Sequence, residues 1–153
     1  MPHFMKIMLV EDDPKVCNSF RKAFRQYRMM SLVYRTDSES QAFKYLERHD
    51  VDVLILDIKL REGDGLSLLH QIETYGLEKP FIIVVTNCGS GVTLSNMRAH
   101  GADYIYRKTN PAYSPERVLH LVEKIFPYQI VEKYNKEIHT LAVSEHKKEK
   151  TND

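Results

Sequence analysis

Cysteine is scarce in this chain. Its two cysteines, Cys17 and Cys88, stand far apart and form no CxxC pair. That argues against a disulfide-stapled secreted scaffold and for reduced thiols that serve as small apolar fillers. Long hydrophobic runs are missing as well. The longest, 53–56 and 81–85, are strand-sized, far short of the roughly 20 residues that cross a bilayer. The first six residues carry no signal-peptide pattern, so a cytoplasmic location with no membrane partner is expected. Nor does charge of one sign dominate. Twenty-two Lys and Arg face 21 Asp and Glu, a formal net charge of +1, and residues 127–153 hold five lysines against five acids. No basic surface for wrapping nucleic acid is indicated. Repeats and low-complexity tracts are absent. What is there is the composition of one globular domain: 153 residues, 42% hydrophobic and 28% charged, long enough to bury a sizeable core.

Along the chain, short β-branched runs alternate with amphipathic stretches. Residues 6–10 read as a strand that stops at Glu11-Asp12-Asp13-Pro14, where Asp13 suits an N-cap and Pro14 a first helical position. Val16, Phe20, Ala23, Phe24 and Tyr27 then recur at helical spacing. Residues 31–35 form a second strand, and Thr36-x-x-Glu39 has the form of a capping box before Ala42, Phe43 and Leu46. Residues 51–57 form a third strand, continuously apolar at 53–56 as a strand covered on both faces should be. Gly63-Asp64-Gly65 marks a turn, and Leu66, Leu69 and Ile72 begin a third helix. A fourth strand (80–86), a short helix (89–100) and a fifth strand (103–107) follow. Ser114-Pro115 opens a last helix with Val118, Leu121, Val122 and Ile125 facing inward.

This pattern is (βα)5, a doubly wound α/β fold with a parallel sheet, right-handed crossovers and helices on both faces. The common winding for five such units is 2-1-3-4-5, and its ligands sit at the carboxyl ends of the strands. After Phe126 the pattern changes. Val131, Tyr134, Ile138 and Leu141 outline a C-terminal helical extension that frays into a polar tail. The helix either packs back on its own domain or pairs with another chain as a short seam. The expected division is thus residues 1–126 as the domain and 127–153 as helix and tail.

The strand ends present Glu11-Asp12-Asp13, Asp57, Thr86 and Lys108. Carboxylates converging from two strands raise one another's pKa, and a hard divalent cation resolves the conflict. Mg²⁺ takes oxygen ligands, keeps several waters and is typically held by one or two carboxylates with a phosphate oxygen. Lys108 offsets the remaining negative charge and suits a phosphoryl oxygen. Singly, each residue has a plain structural use as a cap, a strand hydroxyl or a solvated charge. It is their joint placement along one sheet edge that points to chemistry.

These stretches resemble the receiver domain of two-component response regulators over about residues 5–126. The resemblance rests on Ile7-Met-Leu-Val-Glu-Asp-Asp13, Leu54-Ile-Leu-Asp-Ile-Lys-Leu60, Asp64-Gly-Leu66, Ile83-Val-Val-Thr86 and Gly101-Ala-Asp103 leading to Lys108. It implies a flavodoxin-like sheet, with Asp57 as the phosphoacceptor taking a phosphoryl group from a sensor histidine kinase. Glu11, Asp12, Asp57 and the backbone carbonyl of Lys59 would hold Mg²⁺, while Asp13 caps the helix. Thr86 and Lys108 would bind phosphoryl oxygens, and their movement would remodel the surface around the fourth helix and fifth strand. Such a protein is no conventional enzyme; it transfers the phosphoryl group to itself and loses it by self-catalysed hydrolysis. Homodimers through the fourth-helix and fifth-strand face or the C-terminal helix are implied, and DNA enters only through an output domain not seen here. The polar ending reads as a linker to such a domain, the other reading being a receiver that stands alone.

The chain departs from the family pattern in several places. Ile105 occupies the usual aromatic position, with Tyr104 and Tyr106 on either side as candidates to replace it. Thr109 follows the lysine in place of the usual proline, so a rebuilt trans loop is expected there. Arg61 stands where proline is common and Asn87 where a small residue is usual; Asn87 and Lys59 are positioned to restrict access to Asp57. Switching is therefore expected to differ from the family norm while phosphate acceptance survives.

Other chemistries fit less well. An FMN site of this fold needs a phosphate loop, and Glu11-Asp12-Asp13 would repel a phosphate there. A haloacid-dehalogenase-type phosphatase carries a second aspartate two residues on, where Lys59 stands. GxxxxGK[ST] is absent, and the seven histidines (3, 49, 70, 100, 120, 139, 146) form no HExxH or Cys/His cluster. The serious alternative is a receiver-like interaction module that binds partners without being phosphorylated.

Overall fold

The structure, a computed structural model, describes residues 4–87 and 91–126. Cys88, the first residues of the expected fourth helix and the whole expected C-terminal helix and tail lie outside the described residues.

Five strands and five helices alternate: β1 (Met5–Val10), α1 (Pro14–Phe24), β2 (Met30–Thr36), α2 (Glu39–Arg48), β3 (Val53–Leu56), α3 (Gly65–Thr74), β4 (Phe81–Thr86), α4 (Gly91–Ala99), β5 (Tyr104–Arg107) and α5 (Pro115–Ile125). The strands make one parallel sheet in the order β2-β1-β3-β4-β5, which is the expected flavodoxin-like winding. Parallel strands need helical crossovers, and those crossovers cover both faces. Successive side chains of each strand therefore feed two cores.

One core joins Ile7, Leu9, Val53, Ile55, Ile83 and Val85 to α1 and α5 through Phe20 and Val118. The other joins Met8, Val10, Leu54, Leu56, Ile82 and Val84 to α2, α3 and α4 through Ala42, Leu69 and Met97. Fully burying a side chain the size of Leu54 or Phe20 contributes about 1.5–3 kcal/mol, so the central strands anchor the fold. Their carboxyl ends inherit that rigidity. Among the described residues, no helix is long and apolar enough to cross a membrane.

Local chemistry sets the helix starts. The Asp13 side chain accepts the Lys15 amide and Pro14 takes the first position, as expected. Ser114 caps α5 in the same way, accepting the Arg117 amide. The second helix differs from expectation. Thr36 belongs to β2, paired with Val10, and Ser38 is the N-cap, its side chain accepting the Gln41 amide. In α5 the inward face is Val118, Leu119 and Val122, with Leu121 half-buried and Ile125 exposed. The helix is rotated toward Leu119 because that phase fits the α1 side of the sheet.

Candidate functional site

The sheet ladder itself places the acidic side chains. The Asp57 amide donates to the Val10 carbonyl at 2.9 Å, and the Glu11 amide donates to the Thr36 carbonyl at 3.0 Å. Both acids therefore leave adjacent strands at the same level. Behind Glu11, its carbonyl accepts from the Arg35 guanidinium (3.3 Å) and the Cys17 thiol (3.7 Å), and the Arg35 Nε reaches the Cys17 sulfur at 3.2 Å. Cys17 is buried, and these two hydrogen bonds make it more than the apolar filler that the sequence suggests.

Glu11, Asp12 and Asp57 converge, with one carboxylate oxygen of each lying within 4.8 Å of the others. Lys108 enters from the end of β5, its own amide fixed to the Thr86 carbonyl at 3.0 Å. Its Nζ donates to Asp57 Oδ2 at 2.9 Å and to Glu11 Oε1 at 3.1 Å, with Glu11 Oε2 at 3.0 Å. Glu11 is 1% exposed and the Lys108 side chain 12%, so these charges meet in a largely dry setting where pairing is strong and isolation costly.

Burial, reinforced by the negative charge of Asp57 and opposed by Lys108, lifts the Glu11 carboxyl to a pKa of about 7. Burial pulls Lys108 down, but its hydrogen bond to Asp57 and the two carboxylates outweigh this and hold it above its ordinary value. Three carboxylates against one ammonium leave two formal negative charges uncompensated. Hard oxygen donors with that deficit fit a divalent cation, and the charge of Asp57 adds to burial in raising the Glu11 pKa.

Thr86 is fully buried at the end of β4. The Lys59 side chain is exposed, and its main chain pairs with Asp64 across the loop between β3 and α3. That loop closes tightly over Asp57. The Gly65 amide donates to the Ile58 carbonyl at 2.8 Å, and a Cβ at Gly65 would lie 2.4 Å from the Asp57 carbonyl oxygen. Only glycine admits that approach. Asn87 is exposed next to Thr86.

At β5, alternation separates the residues that the sequence offered as substitutes for one another. Ile105 packs on the α2–α4 core, whereas Tyr106 packs on the α1–α5 core. Tyr104 and Tyr106 share that second face, with ring centroids 4.8 Å apart. The line continues to Tyr113, 6.2 Å from Tyr106. No cis peptide bond occurs among the described residues, so Lys108–Thr109 is trans, as expected.

Tyr113 is a residue that sequence reasoning missed. Its hydroxyl is buried with no hydrogen-bond partner among the protein atoms. Burial pushes its pKa up to about 12, with Lys108, Glu11 and Asp57 close enough to act on it electrostatically. The only signal in the sequence was an aromatic residue with a polar tip just before the Ser114 cap.

A sequence model described as the response regulator receiver domain matches residues 7–120. The chain is 26% identical over 125 residues to the Priestia megaterium protein named "Probable C4-dicarboxylate response regulator DctR", covering 81% of this chain and 53% of that one. It is 25% identical over 121 residues to the transcriptional regulatory protein YpdB of Escherichia coli O157:H7, covering 79% and 47%. The chain thus spans about half the length of these relatives. Among solved structures, a DNA-binding response regulator of the LuxR family from Staphylococcus aureus superposes with a TM-score of 0.70 at 20% identity, covering 80% of this chain and 98% of that one. The isolated receiver domain of RcsB from Salmonella enterica serovar Typhimurium, with a beryllofluoride phosphomimetic, gives 0.68 at 23%, covering 80% and 90%. Both likenesses concern the fold.

Proposed function

The chain belongs to the response regulator receiver domain family, and on that footing we propose that it takes a phosphoryl group from a sensor histidine kinase onto Asp57 in a Mg²⁺-dependent reaction. The observation that carries this reading is the single ammonium of Lys108 lying 2.9 Å from Asp57 and 3.1 Å from Glu11, opposite a cluster of three carboxylates. Phosphoryl transfer demands little covalent work of a protein; it demands positioning and neutralisation of spread negative charge.

In the proposed reaction an Asp57 carboxylate oxygen attacks phosphorus, a P–O bond forms as the P–N bond to the partner's phosphohistidine breaks, and the departing imidazole nitrogen takes up a proton. Glu11, Asp12, Asp57 and the Lys59 carbonyl are the groups that would hold Mg²⁺, which when bound neutralises acceptor and phosphoryl charge together. Lys108 has two carboxylates to choose between before transfer and supplies a cation for the phosphoryl oxygens after it. The Thr86 hydroxyl, carried on the same rigid sheet edge, is the neutral donor. Asp13 is spent on capping α1.

The modified domain then signals through a protein-interaction surface around α4 and β5, in a cytoplasmic protein. Control of transcription would pass through a further domain, and self-association through the α4–β5 face or the segment after Phe126 belongs to the same proposal. Incubation with a small phosphodonor and Mg²⁺ tests the reading. A phosphoryl adduct mapped to Asp57, lost in Asp57→Asn and in chelator, is expected; an unmodified chain rejects it.

A further inference from the structure

The loop that carries Lys59 is fastened to another part of the molecule by a set of bonds that capping alone does not require. Two segments run side by side, 37–40 at the start of α2 and 61–64 before α3. The Glu39 amide donates to the Glu62 carbonyl at 2.9 Å, and the Arg61 amide donates to the Asp37 carbonyl at 3.1 Å. Each segment then lends the other a carboxylate. Glu39, on α2, accepts the Asp64 amide (2.9 Å) through Oε1 and the Ser67 hydroxyl (2.9 Å) through Oε2, both at the start of α3. Glu62, in the loop, accepts the Ser38 hydroxyl and the Ser40 amide (3.1 Å) at the start of α2. Two helix N-termini are cross-capped, each by an acid from the other side, where negative charge also complements the helix dipole.

The fit is close. Gly63 has φ of +73°, and a Cβ there would come within 2.4 Å of Glu39 Oε1. The same stretch reaches the opposite side of the acidic cluster, since the Thr36 carbonyl receives the Glu11 amide at 3.0 Å. A single run of chain, 36–40, thereby ties the loop bearing Glu11 and Asp12 to the loop bearing Lys59.

We propose that Glu39 and Glu62 are positioning residues for the divalent cation: by locking segment 61–64 to the start of α2 they fix the acceptor loop, and with it the Lys59 carbonyl, at the spacing from Glu11 and Asp12 that the ion requires. This deepens the reading given under Proposed function and rests on it. Groups that orient metal ligands without touching the metal commonly change affinity by about 10–100-fold when removed, because a loop free to sample many arrangements must be ordered when the ion binds.

Calorimetric titration of the full chain with Mg²⁺ alone, with thermal unfolding recorded on the same samples, tests this. Glu39→Ala removes both bonds to α3. Glu39→Gln keeps them, since the amide oxygen can accept from Asp64 while the amide nitrogen donates to Ser67. Glu62→Ala removes the reverse cap. Asp103→Ala serves as a stability control, because Asp103 binds Lys79 and the Ile82 amide (2.9 Å) at the opposite end of the sheet. The expected result is Mg²⁺ affinity weakened about tenfold in Glu39→Ala and Glu62→Ala, and near-native affinity in Glu39→Gln and Asp103→Ala. Equal weakening in Glu39→Gln and Glu39→Ala would mean that charge at a distance is responsible, and overturns the proposal. Native affinity in both alanine variants, with only thermal stability reduced, reduces the carboxylates to helix caps and overturns it too. If the unaltered chain itself takes up no Mg²⁺, the functional reading falls first and the positioning role falls with it.

Discussion

Thr86 and Ile105 project from the same face of the sheet, and the two tyrosines flanking Ile105 project from the other. Register makes this so: Val84 pairs with Ile105 and Val85 with Tyr106, and paired residues in a parallel sheet share a face. Neither Tyr104 nor Tyr106 can follow a movement of the Thr86 hydroxyl as an aromatic at position 105 would. The expectation that one of them replaces that aromatic is met by a geometric obstacle. Tyr104→Phe and Tyr106→Phe should leave the rate of phosphoryl uptake from a small donor within about twofold. Thr86→Ala, which removes the proposed donor to the transferring group, should slow uptake by about 10². Gel separation of phosphorylated and free protein over time measures both; a large effect of either tyrosine would contradict the sheet geometry.

Lys108 serves two buried carboxylates, so its loss strands both. Lys108→Met should destabilise the metal-free fold by about 3–5 kcal/mol, the usual consequence of leaving buried charge unpaired. Asp57→Asn acts in the opposite direction, because it removes the charge that helps raise the Glu11 pKa. That variant should be at least as stable as the unaltered chain in chelator. Urea unfolding of the three proteins decides it, and equal stability of all three would show that the cluster is not coupled.

The Glu11 pKa gives a pH dependence with a definite sign. The carboxyl titrates at about 7 when folded against 4.5 ordinarily, so between those values the folded chain holds a proton that the unfolded chain has released. Stability of the metal-free protein should therefore fall as pH rises from about 4.5 to about 7, by at most about 3 kcal/mol from this group. Glu11→Gln should flatten the profile over that window. Unfolding midpoints in chelator at half-unit pH steps provide the measurement, and a rise across the window would reverse the assignment.

Gly65 is packed against the chain at the end of β3 with no space to spare. Gly65→Ala must push α3 away from the Asp57 carbonyl, which stands 2.4 Å from the added carbon. A loss of about 1–3 kcal/mol in stability is expected, as for overpacked cores, together with weaker Mg²⁺ binding. Native values of both would mean that the loop yields without strain.

Tyr113→Phe should stabilise the fold by about 1 kcal/mol, since it deletes a buried hydroxyl without a partner while keeping the ring on the core. Denaturant titration reads the change directly; a loss of similar size would show that the hydroxyl is satisfied in solution.

The sequence exposed the centre of the sheet because β1, β3 and β4 are largely buried and so read as short apolar runs. Asp57 stood out as the charge that ends the most deeply buried of these runs. What stayed hidden depended on contacts between distant segments. Thr36 and Ser38 are equally good caps locally, and only the pairing of Thr36 with Val10 removes the first from the choice. The periodicity of α5 points to Leu121 and Ile125 as inward residues, whereas packing on the sheet buries Leu119 and leaves Ile125 exposed. Glu39 reads as the acidic end of a local capping box and Glu62 gives no local signal, because their partners lie more than twenty residues away. Tyr113 gave no sign that its hydroxyl would be buried within electrostatic reach of Lys108.

The row of rings from Tyr104 through Tyr106 to Tyr113 has a practical consequence, because the chain contains no tryptophan. Its native emission comes from phenols alone, and excitation migrates readily between phenols at such separations. Light absorbed by a ring on the outer edge of the sheet can thus be given out from Tyr113, on which the charges of Lys108, Glu11 and Asp57 act. Three of the chain's nine tyrosines thus form one optically coupled group that reaches the edge of the charge cluster.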